Sequence, residues 1–263
     1  MLRYGFIAAG NIIRAMHRGA EMNKDYNPAE IGIYDINEEV RKDYAARGYA
    51  TFDNMKDLID NSEMLVLGVT PKVVGFIIDE LAANIRPEQV MLTVVTGVEQ
   101  AWYEEKLGKG HKVVICMPNM SSQVGEGAFA VSRSEACTDE DVDNVCAILK
   151  SCGLVEEIPA GMMAEIHPFN GSAPVFFYHI ANLMVKEAEE LGLNPETAVR
   201  LFAETMKGSA EMILSSDISL ADLEKALRLP GGATVTALEK IESMGFDAMY
   251  HEFVKVSVEH CRE

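Results

Sequence analysis

Continuously apolar runs alternate with stretches of helical period through the first 160 residues. The opening run, Leu2 to Ile7, ends in the small residues Ala8-Ala9-Gly10 and passes at once into apolar positions at helical spacing. That pattern predicts a buried strand, a tight turn and a helix. Ile31 to Tyr34, Met64 to Val69, Val90 to Val95, Val113 to Met117, Ala128 to Ser132 and Leu154 to Ile158 read as further strands. Helices are predicted from Asn37, an N-cap followed by Glu38 and Glu39, to Gly48, then over Lys72 to Ala83, Glu99 to Leu107 and Asp139 to Ser151. Unbroken apolar strands are typical of a parallel sheet covered on both faces. The strand-helix order specifies a doubly wound α/β domain with right-handed crossovers.

From about Met162 the strand signals stop and helical ones continue. Ser172 can cap a helix from Pro174 to Leu191, stopped by Gly192, and Asn194-Pro195 starts another that runs to about Leu214. Shorter helices follow from Ser219 to Leu227, around Val235 to Ser243 and over Asp247 to Cys261. With no linker or repeat between the two patterns, the chain reads as a dinucleotide-binding domain over 1–160 and an all-helical domain over 161–263. The first helix of the second domain carries Val175, Phe176, Phe177, Ile180, Ala181, Leu183, Met184 and Val185 all round its axis. Such a helix must be buried on every side, and a domain of about 100 residues offers limited cover. A homodimer in which the partner supplies the cover is expected; a snug monomeric core is the alternative.

Composition narrows the classes. The 263 residues, 48% of them hydrophobic, are enough for two cores, and 41 acidic against 23 basic residues give a net charge of −18. That charge repels phosphate backbones and anionic lipid, so neither nucleic acid nor a membrane is an expected partner. Ile166 to Val185 lacks Asp, Glu, Lys and Arg, but Pro168, Asn170, Gly171, Pro174, His179 and Asn182 interrupt it, which argues against a membrane span. Cys116, Cys137, Cys146, Cys152 and Cys261 are odd in number and never form a C-x-x-C pair. They suggest neither disulfides nor a zinc site, and the apolar run at the N-terminus is too short for a signal segment. A cytoplasmic protein is expected.

The opening turn is where a dinucleotide fold holds a pyrophosphate, on the unpaired N–H groups and positive dipole of a helix N-terminus. Ala8, Gly10 and Ile13 occupy the three glycine positions of the G-x-G-x-x-G pattern, so an ordinary strand-turn-helix without a ligand remains a competing reading. Asp35 ends the second strand, where an acid accepts hydrogen bonds from ribose hydroxyls and repels a 2′-phosphate; it favours NAD over NADP. Asn170-Gly171-Ser172-Ala173-Pro174 and Pro230-Gly231-Gly232-Ala233-Thr234 are small-residue turns ahead of helices and could together hold a carboxylate. Caps and a helix break require the same residue types. No nucleophile triad or metal-ligand spacing appears; His167 and His179, which flank the first of these turns, are candidates for acid-base work.

Taken as a set, these residues resemble the pyrroline-5-carboxylate reductase family along nearly the whole chain. The resemblance rests on Gly5-Phe6-Ile7-Ala8-Ala9-Gly10-Asn11, Met117-Pro118-Asn119, Glu126-Gly127-Ala128, Gly171-Ser172-Ala173-Pro174 and Pro230-Gly231-Gly232-Ala233-Thr234, with Leu238 beyond. It implies reduction of a cyclic imino acid, 1-pyrroline-5-carboxylate, to proline by hydride from NAD or NADP, with the substrate nitrogen protonated and the protein chiefly orienting the reactants. By this likeness Ala8, Ala9, Gly10, Asn11, Ile12, Asp35, Val69, Thr70, Pro71 and Asn119 would contact the cofactor. Asn170, Gly171, Ser172, Ala173, Gly231, Gly232 and Thr234 would contact the substrate, with the Thr234 hydroxyl on the ring nitrogen. Interlocked dimers, often built into rings, are implied too.

The chain also departs from the family. Ala8 and Ile13 alter the phosphate turn, Thr70 stands for a common Lys and Ile115 for a common Arg. Met120-Ser121 replaces Thr-Pro, Asn170 replaces Ser, Ala173 replaces Gly and Leu229 replaces Ser. These changes leave room for a divergent paralogue that reduces another imine or binds dinucleotide without turnover. A hydroxyacid dehydrogenase would want a Lys close behind the first turn, and Lys186 lies too far beyond Gly171.

Overall fold

The computed structural model describes residues 1–262. The first part runs β1 (Leu2–Ile7), α1 (Asn11–Ala20), β2 (Ile31–Tyr34), α2 (Glu38–Ala46), β3 (Ala50–Phe52), α3 (Met55–Asp60), β4 (Ser62–Leu67) and α4 (Pro71–Asn84). It continues through β5 (Val90–Thr93), α5 (Gln100–Leu107), β6 (Lys112–Met117), β7 (Gly127–Arg133), α6 (Asp139–Lys150), β8 (Gly153–Glu157) and the short α7 (Met163–Ile166). Among the described residues these strands form one sheet in the order β3-β2-β1-β4-β5-β6-β7-β8. It is the doubly wound, Rossmann-type arrangement that the alternating pattern predicts.

Two local devices fix the element starts. Asn37 Oδ1 accepts the Glu39 N–H at the head of α2, and the Thr138 side chain and Asp141 form a reciprocal capping box on α6. The pair β3 and α3 is absent from the expected elements. At three and six residues both are too short for periodicity to register, and Asn54 Oδ1 on the Asp57 N–H is what starts α3. The other departure is β7, which pairs antiparallel with β6 while the remaining neighbours are parallel. Residues 118–126 hold only a 3-10 turn at Met120–Val124, too little chain for a parallel crossover.

Both sheet faces are covered. Phe6, Ile13, Ile33, Val66 and Leu92 pack with residues of α1, α2 and α6 on one side; Leu65, Leu67, Met91 and Val113 pack with α3, α4 and α5 on the other. His17 sits inside the first of these cores against Phe6, Tyr44 and Tyr49, where burial and then the Arg47 charge push its pKa down to about 3. It is a neutral core residue.

The second part is helical: α8 (Ala173–Glu190), α9 (Pro195–Ser215), α10 (Leu220–Leu227), α11 (Ala233–Ser243) and α12 (Phe246–Arg262). Asn194 and Ser219 cap α9 and α10 as expected, through Thr197 N–H and Asp222 N–H. Where the element pattern changes at 160/161, packing divides the chain later, into Met1–Pro174 with the stretch that begins at Ser257, and Val175–Val256. Within 175–256 Ala188 is the one residue buried below a tenth of its surface, while Val175 is 62%, Tyr178 60% and Leu183 46% exposed. One side of helix α8 packs within the unit, Phe176 against Tyr250 and Phe253, while apolar side chains on its other sides stay exposed. No helix among the described residues is long and apolar enough to cross a membrane.

Candidate active site

β1 lies between β2 and β4, so the chain order reverses at the carboxyl ends of β1 and β4, the crevice where doubly wound sheets bind ligands. The turn at that crevice is held in place from both sides. Ala8 has φ 70°, in the left-handed region, and its N–H donates to Tyr34 O at 2.7 Å. A Cβ there costs about 1–2 kcal/mol, which is why glycine suits this position. Ala9 N–H donates to Asp35 Oδ2 at 2.9 Å, Asp35 Oδ1 accepts the Asn37 N–H at 2.9 Å, and Arg14 Nε donates to Ala9 O at 3.1 Å. Asp35 thereby ties the turn to the cap of α2. Gly10 is the N-cap of α1 and provides no side-chain cap, so the helix opens toward solvent through Gly10, Asn11 and the half-buried Ile12. An uncapped helix N-terminus of this kind fits a dinucleotide pyrophosphate.

The side chain at the third glycine position does not obstruct this turn. Ile13 is wholly buried and points into the core, opposite Gly68, where a Cβ would lie 2.4 Å from Ile13 Cγ1. The close approach of helix and strand is kept, with the missing side chain on the strand side. Gly68 N–H donates to Ile7 O at 2.9 Å, and Val69, Thr70 and Pro71 follow directly, Thr70 as N-cap of α4 without a side-chain bond. Residues 8–12, 35 and 69–71 thus converge on neighbouring strand ends.

Asn119 joins a different group. Its Oδ1 accepts the Ala128 N–H at 3.2 Å and its Nδ2 donates to Asn170 O at 3.3 Å. Asn170, 7% exposed, donates from Nδ2 to Met117 O at 2.8 Å and to Ala128 O at 3.2 Å, and its buried Oδ1 has no protein partner. The turn Asn170–Ala173 is thereby bolted to the end of β6 and the start of β7. Ser172 N–H donates to His167 O at 2.9 Å, and its hydroxyl lies 3.1 Å from Ser257 Oγ, which in turn lies 3.0 Å from His167 Nδ1. A Cβ on Gly171 would fall 2.6 Å from His167 Cδ2, so only glycine lets the ring edge lie against the turn. Burial and then the charge of His260 lower the pKa of His167. Of the two histidines beside the turn, His167 is built into it and His179 is exposed on α8.

In the helical unit, Gly231 has φ 74°, Gly232 is the N-cap of α11 with no side-chain cap bond, and Ala233 and Thr234 open that helix with Thr234 exposed. Among the described residues no group of three or more His, Cys, Asp or Glu is placed to hold a metal ion.

Residues 161–263 match a model described as pyrroline-5-carboxylate reductase dimerisation, and residues 3–97 match one described as NADP oxidoreductase, coenzyme F420-dependent. A pyrroline-5-carboxylate reductase of Methanosarcina acetivorans is 27% identical over 99% of this chain and 97% of its own. One of Mycobacterium tuberculosis is 30% identical over 78% of each chain. The chain belongs to the pyrroline-5-carboxylate reductase family. The solved structure of such a reductase from Coxiella burnetii is similar at TM-score 0.91, with 25% identity over 99% of this chain and 97% of that one. The Plasmodium falciparum structure, which has NADP bound, superposes at TM-score 0.88 with 23% identity over 99% of this chain and 97% of its own, a likeness of fold.

Family membership gives the two turns their context. The helical half is the family's dimerisation region, and the opening half is its dinucleotide-binding domain. Ser257 and Gly68 are the contributors that sequence reasoning missed. Ser257 stands 85 residues beyond Ser172 with no local signal, whereas a glycine immediately after β4 is a visible cue to close packing.

Proposed function

We propose that this protein reduces 1-pyrroline-5-carboxylate to proline with a nicotinamide dinucleotide, the substrate for which its relatives are named. The observation that carries the reading is the opening turn: despite Ala8 and Ile13 it keeps a positive φ and an uncapped α1, in a chain similar to those reductases over nearly its full length. The bound cofactor supplies the hydride. Residues 1–160 form the cofactor domain, in which Ala8 to Ile12 receive the pyrophosphate, Val69, Thr70, Pro71 and Asn119 border the cofactor, and Asp35 meets the adenosine ribose. The Asp35 carboxylate repels a 2′-phosphate, which favours NADH over NADPH.

Residues 161–263 form the substrate and dimerisation domain. Donors from Asn170, Gly171, Ser172 and Ala173 and from Gly231, Gly232 and Thr234 hold the substrate carboxylate, and the Thr234 hydroxyl hydrogen-bonds the ring nitrogen. A protonated imine needs no strong acid from the protein, only orientation. The uncovered faces of α8 support a homodimer, and five unpaired thiols support a cytoplasmic setting. Following nicotinamide absorbance with 1-pyrroline-5-carboxylate and each cofactor tests the reading. Turnover with a higher kcat/KM for NADH is expected; no turnover with either cofactor sinks the activity, and equal or reversed preference removes the role of Asp35.

A further inference from the structure

His167 Nδ1, Ser257 Oγ and Ser172 Oγ form a three-member hydrogen-bonded chain, with links of 3.0 and 3.1 Å, that ends in the candidate substrate turn. Each hydroxyl has one proton to give, so the direction of donation along such a chain is set by its end. We propose that His167 is a positioning residue that, through Ser257, decides whether the Ser172 hydroxyl gives or withholds a hydrogen bond to the substrate carboxylate, so that carboxylate capture depends on pH. This rests on the reading that residues 170–173 hold that carboxylate.

The two states follow from counting protons. In the imidazolium, Nδ1–H donates to Ser257 Oγ, the Ser257 proton turns to Ser172 Oγ, and the Ser172 proton is released from the chain, where an anion competes for it with the long 3.4 Å contact to His167 O. In the neutral ring with its proton on Nε2, Nδ1 accepts from Ser257, Ser257 accepts from Ser172, and the Ser172 proton is used inside the chain. The ring sits beside the turn, its Cδ2 edge where a Cβ on Gly171 would fall, and the backbone link from Ser172 N–H to His167 O holds the same two residues together.

Among the described residues, two segments bring charge near the ring. His260 on α12 opposes the imidazolium, and the Glu165–Arg262 ion pair joins the segment of His167 to the end of α12. The turn itself, 169–174, carries no charge. Burial and His260 together place the switch on the acid side of an ordinary histidine.

L-proline carries the carboxylate without an imine that titrates, so its binding in the presence of oxidised cofactor isolates the effect. One charge-assisted hydrogen bond corresponds to about a tenfold change in affinity. Proline affinity should fall by about tenfold in all as the pH rises through the His167 ring titration, followed by NMR, and by reciprocity saturating proline should raise that titration by about one pH unit. His167→Asn and Ser257→Ala, each checked for folding by circular dichroism, should bind proline with a flat profile. Proline binding that is flat in the unaltered protein, or a slope that survives both substitutions, overturns the inference and leaves the carboxylate reading standing. Absence of proline binding at every pH overturns both.

Discussion

The two packing units contain similar apolar material and treat it differently. In the first, Phe6, Ile13, Leu65, Val66, Leu67 and Leu92 lose all solvent contact. In the second, long apolar side chains such as Tyr178, Leu183 and Met184 keep close to half their surface or more, and Ala188 is the one residue there that is fully enclosed. A parallel sheet supplies cover from its own chain, because each crossover lays a helix over the strands it connects. Helices joined end to end have no such guarantee. The difference teaches that apolar pattern states what must be buried, and topology decides whether the same chain can do it.

The largest expected effect tests the self-sufficiency of the first unit. Phe6→Ala should cost about 3–5 kcal/mol in urea-induced unfolding, with a midpoint independent of protein concentration. A concentration-dependent loss would show that the first unit also leans on a partner. The second unit should behave in the opposite way: Leu183→Asp should weaken self-association by about 100-fold in sedimentation experiments, since a charge at a desolvated contact is costly. An unchanged dissociation constant would place the cover elsewhere than on α8. The smallest effect sharpens the first half of the comparison, because even the self-sufficient unit keeps one strained position. Ala8→Gly should stabilise it by about 0.5–1 kcal/mol by relieving the positive φ, less the added freedom of the unfolded chain; a lower denaturation midpoint would contradict the strain.

Much of the fold was legible because local rules and tertiary structure agree here. The caps at Asn37, Asn194 and Ser219 could be read from residue type and position, and each makes its expected bond. The β3-α3 pair was not legible, since six residues complete less than two turns of helical period. Nor was the direction of β7, which depends on the length of a connection that carries no helix. At the site, the position of Asp35 was readable but its grip on Ala9 N–H was not, because that bond depends on two strand ends meeting. The same holds for His167 and Ser257, which are 90 residues apart and are joined by the return of α12. Asn119 and Asn170 were visible as separate motif members, while their mutual bond belongs to the way β7 begins where β6 ends.

Ile13 and Gly68 carry a consequence beyond this one chain. A glycine fingerprint records vacancies along a single segment, whereas the quantity being inherited is a volume shared by two segments. A small residue at position 13 would leave room for a side chain at position 68, so the two positions should tolerate paired replacement better than single replacement. In this protein the vacancy lies on the strand, and positions 55 residues apart share one volume.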